Sequence, residues 1–218
     1  MRMFLSFSLC LLLPGGAWAQ TPEMPCLEVI PPFTQWMVQI SPAAVASGVP
    51  LSPEQNEANQ LRERYFPPLE SIAGSKDENV IREVSTWKGG VKTLAFVVEG
   101  ILYRSSTPLH PDDIVVLHPA TQGNPDYTKC DFPDLAWVSP NNFVKTERKE
   151  GKLCHYYELA TDGHAPSQKV WIDAGTKLPF LYDNGQSVFR YTFSAAGREP
   201  IAIPPAFQKL IAPARLTR

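Results

Sequence analysis

The chain is poor in the residues that usually announce chemistry, with four cysteines and four histidines among 218 residues and no two cysteines spaced as Cys-x-x-Cys. Without that spacing a thioredoxin-like redox motif is excluded, and a cysteine-rich zinc module has no ligand set. A Gly-x-Ser-x-Gly elbow, a His-Glu-x-x-His helix and a glycine-rich phosphate loop are missing too, so an active site would have to be assembled from scattered residues. Charge of one sign is also scarce. The formal net charge is -2 and no Lys/Arg cluster stands out, which argues against nucleic acid and anionic membrane surfaces as partners. The run "KTERKEGK" (145–152) mixes signs and reads as a solvated hairpin tip.

Long apolar runs are absent as well. The longest, Phe4 to Leu13, spans about ten residues against the roughly 20 needed to cross a bilayer. Arg2 precedes it, and Pro14-Gly15-Gly16 and the small-x-small triplet Ala17-Trp18-Ala19 follow. This is the pattern of a secretory signal peptide. Cleavage is expected after Ala19, leaving a monomeric periplasmic or secreted protein that does not span the membrane. Of the cysteines, Cys26, Cys130 and Cys154 stay in that mature chain. An oxidising compartment favours pairing, and a Cys130–Cys154 disulfide is expected because Cys26 lies in a proline-rich stretch; the closed loop would add about 3 kcal/mol in the chain-entropy model.

Residues 20–50 read as a proline-rich arm that wraps the surface and docks Trp36, and 51–218 as one domain. Ser52 as N-cap, Pro53 at the first helical position and Gln55 in capping-box register predict a helix to about Tyr65, stopped by Pro67-Pro68. After the polar "GSKDEN" the texture turns to strands: 80–87, 91–106, 112–118, 135–138, 143–149, 153–160, 168–174, 178–183 and 187–194. Lys88-Gly89-Gly90, Glu150-Gly151, Asp162-Gly163, Ala174-Gly175 and Asn184-Gly185 supply the turns. The expected fold is α+β, mainly β: a curved antiparallel sheet, or half-barrel, covered by one or a few helices.

Read as one strand, Lys92 to Arg104 puts Leu94, Phe96, Val98 and Leu102 on one side and Ala95, Val97, Ile101 and Tyr103 on the other. Both sides are largely apolar, so both are expected to be covered, and Gly100 reads as a bend that turns the sheet into a trough. Trp171, Phe180, Tyr182, Phe189, Tyr191 and Phe193 add aromatic surface on the last strands. Two readings stay open: ordinary core, or the lining of an apolar cavity.

The stretches "FVKTERKEGKLCHYYEL", "KVWIDAGTKLPFLYD", "YTF" and "IPPAFQKL" resemble the closing hairpins of outer-membrane lipoprotein carriers of the LolA/LolB type and related exported lipid-binding proteins. The matching residues are Trp171, Ile172, Asp173, Thr176, Leu178, Pro179 and the segment Ile203 to Phe207, and the resemblance covers roughly the last 75 residues. It implies a half-barrel whose cavity binds the acyl chains of a lipid or lipoprotein, with Arg104 and Arg190 as candidate polar gates. The ligand-binding set on this reading is Leu94, Phe96, Val98, Leu102, Trp171, Phe180, Phe189, Tyr191 and Phe193, and Phe96→Asp or Phe189→Asp is expected to abolish uptake.

Three other functions compete, one of them a purely structural envelope protein with neither cavity nor partner. An envelope sensor or scaffold domain would fill the cavity with side chains and bind another protein through a surface patch. A metal-dependent hydrolase could gather His110, Asp112, Asp113 and His118, although both histidines directly precede proline and "HPDD" reads as a turn. Cys154 and His155 point to opposite faces of a strand and cannot form a nucleophile and base pair. His164 reads as a loop residue, and neither a catalytic residue nor a cofactor is called for.

Overall fold

A computed structural model describes residues 27, 29–43, 57, 63, 67–119, 121, 123–160 and 166–216, with side chains to residue 212. The expected signal peptide, Cys26, the expected 52–65 helix apart from Glu57 and Glu63, and His164 lie outside the described residues.

Among the described residues eleven strands form one open, curved antiparallel sheet. They are β1 (Thr34–Pro42), β2 (Leu69–Lys76), β3 (Val80–Trp87), β4 (Lys92–Val98), β5 (Ile101–Thr107), β6 (His110–Leu117), β7 (Phe143–Lys149), β8 (Lys152–Leu159), β9 (Gln168–Asp173), β10 (Pro179–Asp183) and β11 (Ser187–Ala195). The spatial order is β6-β5-β4-β3-β2-β1-β11-β10-β9-β8-β7. The first and last strands thus meet in the middle, and the two edges, β6 and β7, are neighbours in sequence. Pro111 and the exposed Asp112 and Asp113 blunt one edge, and Lys145 and Glu147 blunt the other.

The stretch read as an irregular arm contributes β1, paired in full register with β11 from Thr34↔Ala195 to Pro42↔Ser187. Its signal was the alternation of Trp36, Val38 and Ile40 with Gln35, Met37 and Gln39. β2 also lacks a counterpart in the sequence reading, since its short "LESIAGSK" carries only half-buried residues apart from buried Gly74 and exposed Glu70. The expected strand over 135–138 is instead a 3-10 turn, Pro133–Leu135, and its continuation.

The expected single strand from Lys92 to Arg104 is two strands. Glu99 and Gly100 both have positive φ, 52° and 80°, the geometry of a two-residue type I′ turn. Val98 pairs with Ile101 and Phe96 with Tyr103, so these four share one face while Val97 and Leu102 share the other. The turn shifts the alternation by one residue, which places Leu102 opposite to Leu94, Phe96 and Val98. Gly100 also packs against the 118–142 connection: a Cβ there would lie 2.4 Å from Thr128 Cγ2.

Both faces are covered, as two-sided apolar strands require. The inner face carries the largest cluster, with Trp36, Val38, Ile81, Val97, Leu102, Tyr157, Val170, Ile172 and Tyr182 beneath Phe132 and Leu135 of the 118–142 connection. The outer face carries two clusters. Phe96, Val98, Ile101 and Tyr103 lie under a C-terminal helix, α1 (Pro205–Leu216), through Phe207 and Ile211. Phe207 meets Phe96 edge to face at 4.8 Å. Cys154, Tyr156, Trp171, Phe180 and Leu181 form the other. α1 starts at Pro205, a favoured first-turn residue, inside the segment expected only to close the domain.

Cys130 and Cys154 are both free. The expected disulfide is not made, because Cys130 packs with the inner cluster and Cys154 is buried in an outer one, on opposite sides of the sheet. Burial pushes both thiols up from the ordinary value, away from thiolate reactivity.

Candidate functional site

The candidate site is a groove on the inner face, between β1–β5 and the 118–142 cover. Cross-strand register builds its floor. Phe193 pairs with Trp36, Trp36 with Gly74, Gly74 with Glu83, Glu83 with Ala95 and Ala95 with Arg104, so these six residues form one row across the sheet. Gly74 is required there: a Cβ would lie 1.9 Å from Trp36 Cε2, and the missing side chain lets the indole lie flat on β2.

The cover descends onto this row. Phe132 stands edge-on to Tyr191 at 5.9 Å and to Phe193 at 6.2 Å, while Tyr191 and Phe193 lie parallel at 6.2 Å. Asp131 clamps the cover down. Its Oδ2 accepts hydrogen bonds from Lys76 Nζ and from the Ile30 N–H, each at 2.7 Å. Beneath the cover is a cavity of about 180 Å3, walled by Trp36, Val38, Ile72, Leu102, Tyr191 and the cover's Phe132 and Leu135, with Glu83, Arg104, Tyr127 and Asp134 among its polar groups.

A second cavity, of about 290 Å3, shares Glu83, Leu102, Arg104 and Tyr127 with the first. It opens where β4 and β5 part. Their last paired residues are Ala95 and Arg104, and beyond them Ser105 Oγ accepts the Leu94 N–H at 3.1 Å. The Trp87 indole N–H, held by Thr93 Oγ1 at 2.9 Å, lines its far end.

The electrostatics of the groove come from burial. Glu83 keeps part of its surface open to the groove, yet burial, reinforced by the Asp134 carboxylate, pushes its carboxyl up to about 7. Asp134 is exposed overall but crowded enough that its carboxyl also lies above the usual carboxylate range. The phenols of Tyr127 and Tyr191 are held neutral far above their usual range by burial first and by these two carboxylates second. Two facing acids with displaced titration in a cleft are a functional-site signal.

The nine residues predicted to bind ligand fall into three groups. Leu102, Phe189, Tyr191 and Phe193 belong to the inner cluster, and Leu102 and Tyr191 line the groove. Leu94, Phe96 and Val98 lie outside, under α1. Trp171 and Phe180 belong to the outer cluster, where Lys149 Nζ caps the Trp171 ring at 4.3 Å and Lys152 Nζ the Phe180 ring at 4.6 Å. Of the two candidate gates, Arg104 lines both cavities, whereas Arg190 donates from Nη1 and Nη2 to the two carboxylate oxygens of Glu150. The motif residue Asp173 shapes a turn, its Oδ1 accepting the N–H groups of Gly175 at 2.8 Å and Thr176 at 3.0 Å.

Sequence reasoning missed Glu83, Tyr127, Asp131 and Asp134. The available signal was Glu83 itself, a carboxylate in period-two register with Ile81 and therefore aimed at the buried face. Among the described residues no three His, Cys, Asp or Glu side chains are grouped to hold a metal ion.

No protein-family model matches the sequence and no curated protein matches it. Among solved structures the chain is similar to lipoprotein LppX of Mycobacterium tuberculosis, at 12% identity over 78% of this chain and 88% of that one, with a TM-score of 0.38.

Proposed function

We propose that this chain is an exported, non-catalytic binding protein for an apolar or amphiphilic ligand of the lipid or lipoprotein-acyl class, taken up on the inner face of the sheet. One observation carries the reading. The inner face is roofed by a connection whose described residues form two 3-10 turns and no strand, and which inserts Phe132 and Leu135 where a half-barrel would hold a ligand. The cavities of about 180 and 290 Å3 described above lie below the roughly 300–1,000 Å3 of small-molecule sites, so a long chain enters by displacing these side chains. The resemblance to exported lipoprotein carriers points the same way. Export itself rests on the signal-peptide pattern of residues 2–19.

The test is titration with an environment-sensitive fluorescent fatty acid. Wild type should show saturable uptake, Phe189→Asp on the inner face should lose it while remaining folded by circular dichroism, and Phe207→Ala on the outer face should keep it. The Phe207 change removes a buried ring and costs about 3 kcal/mol. Equal uptake by all three would remove the inner face from the reading.

A further inference from the structure

The smaller cavity has the composition of a headgroup site. Four aromatic rings, Trp36, Tyr127, Phe132 and Tyr191, share its wall with two carboxylates, Glu83 and Asp134. Aromatic faces attract organic cations through the ring quadrupole, and cages of them are the usual receptor for quaternary ammonium groups. Among the described residues neither carboxylate gains a hydrogen bond or an opposite charge: burial and then the Asp134 carboxylate act on Glu83, and burial acts on Asp134. The third acid of the wall, Asp131, is already committed to Lys76. At about 180 Å3 the cavity suits a small cationic group, and the adjoining 290 Å3 cavity and the apolar floor leave room beside it for an attached chain.

We infer that this cavity binds the ammonium group of a cationic or zwitterionic amphiphile, with Glu83 and Asp134 as counter-charges and the four rings as its cage. The inference rests on the inner-face reading above and narrows it to a ligand class. Arg104, at the border of the two cavities and without an ion pair among the described residues, is placed to meet an anionic group next to the ammonium.

Isothermal titration calorimetry at pH 8, below the critical micelle concentrations, compares dodecyltrimethylammonium, dodecyl maltoside and tetramethylammonium. The expected result is that dodecyltrimethylammonium binds about tenfold or more tightly than the neutral amphiphile, and that Glu83→Gln and Trp36→Leu each erase that preference. Thermal melts confirm that both variants are folded. Equal affinity for the two amphiphiles would overturn the headgroup site and leave the apolar reading standing. Tight binding of tetramethylammonium with no gain from the dodecyl chain would keep the cage and contradict the amphiphile. Binding of none of the three would overturn both.

Discussion

Lys76 Nζ and the backbone N–H of Ile30 converge on one oxygen of Asp131, each at 2.7 Å. The Asp131 and Lys76 side chains are only 8% and 17% exposed. A single carboxylate therefore ties the cover to the end of β2 and to the segment entering β1. Removing its charge strands a largely buried ammonium without its counter-charge, the costly way to break a buried pair.

Asp131→Asn should accordingly lower unfolding free energy by about 3 kcal/mol in denaturant titrations. It should also speed hydrogen exchange across 125–138 more than across β8 and β9. Uniform acceleration throughout the sheet would show that the clasp does not act on the cover.

Glu83 makes stability depend on pH. Its carboxyl is held at about 7 in the folded chain against an ordinary 4.5, so the folded state binds the extra proton between those values. Stability is then highest at the acid side and falls as pH rises from 4.5 to 7. Glu83→Gln should abolish that slope and be more stable than wild type at pH 8, by on the order of 2 kcal/mol. Parallel pH profiles for the two proteins would contradict the displaced titration.

Gly74 holds the Trp36 indole, and Gly74→Ala should cost about 2 kcal/mol as overpacking. The same change made in a Trp36→Leu background should cost under about 1 kcal/mol, because the steric conflict is then gone. Equal costs in the two backgrounds would place the effect in the strand backbone instead.

The thiols offer a covalent check. Peptide mapping of native protein under non-reducing conditions should find no Cys130–Cys154 link, and an exposed-thiol reagent should modify Cys130 before Cys154, which is 0% exposed. A quantitative link between them would contradict the placement of the cover on the inner face.

Much of the half-barrel is legible in the sequence because its turns are chemically marked. The paired glycines 89 and 90, Glu150-Gly151 and the Asp173 turn occur where a meander needs them. The errors have two causes. Glu99-Gly100 is equally a turn, but apolar residues flank it on both sides, so the hairpin reads as one long strand and the faces of Ile101, Leu102 and Tyr103 come out inverted. β1 was hidden by the prolines around it, though Trp36, Val38 and Ile40 alternate plainly.

The groove was legible only in part. Arg104 and Tyr191 stand out on strands, but Tyr127, Asp131 and Asp134 lie on an irregular connection whose path depends on tertiary contacts with Lys76 and Phe193. Local sequence contains no period that would bring them over Glu83.

The claim that the inner face holds an apolar ligand is tested most directly by exporting the protein in a diderm host, purifying it without detergent, and analysing an organic extract by mass spectrometry before and after incubation with lipid vesicles. The structure leads us to expect stoichiometric lipid or another amphiphile in at least one extract, reduced in folded Phe189→Asp. Clean extracts of folded wild-type protein from both preparations would mean that Phe132 and Leu135 fill the half-barrel permanently and that the inner face is core.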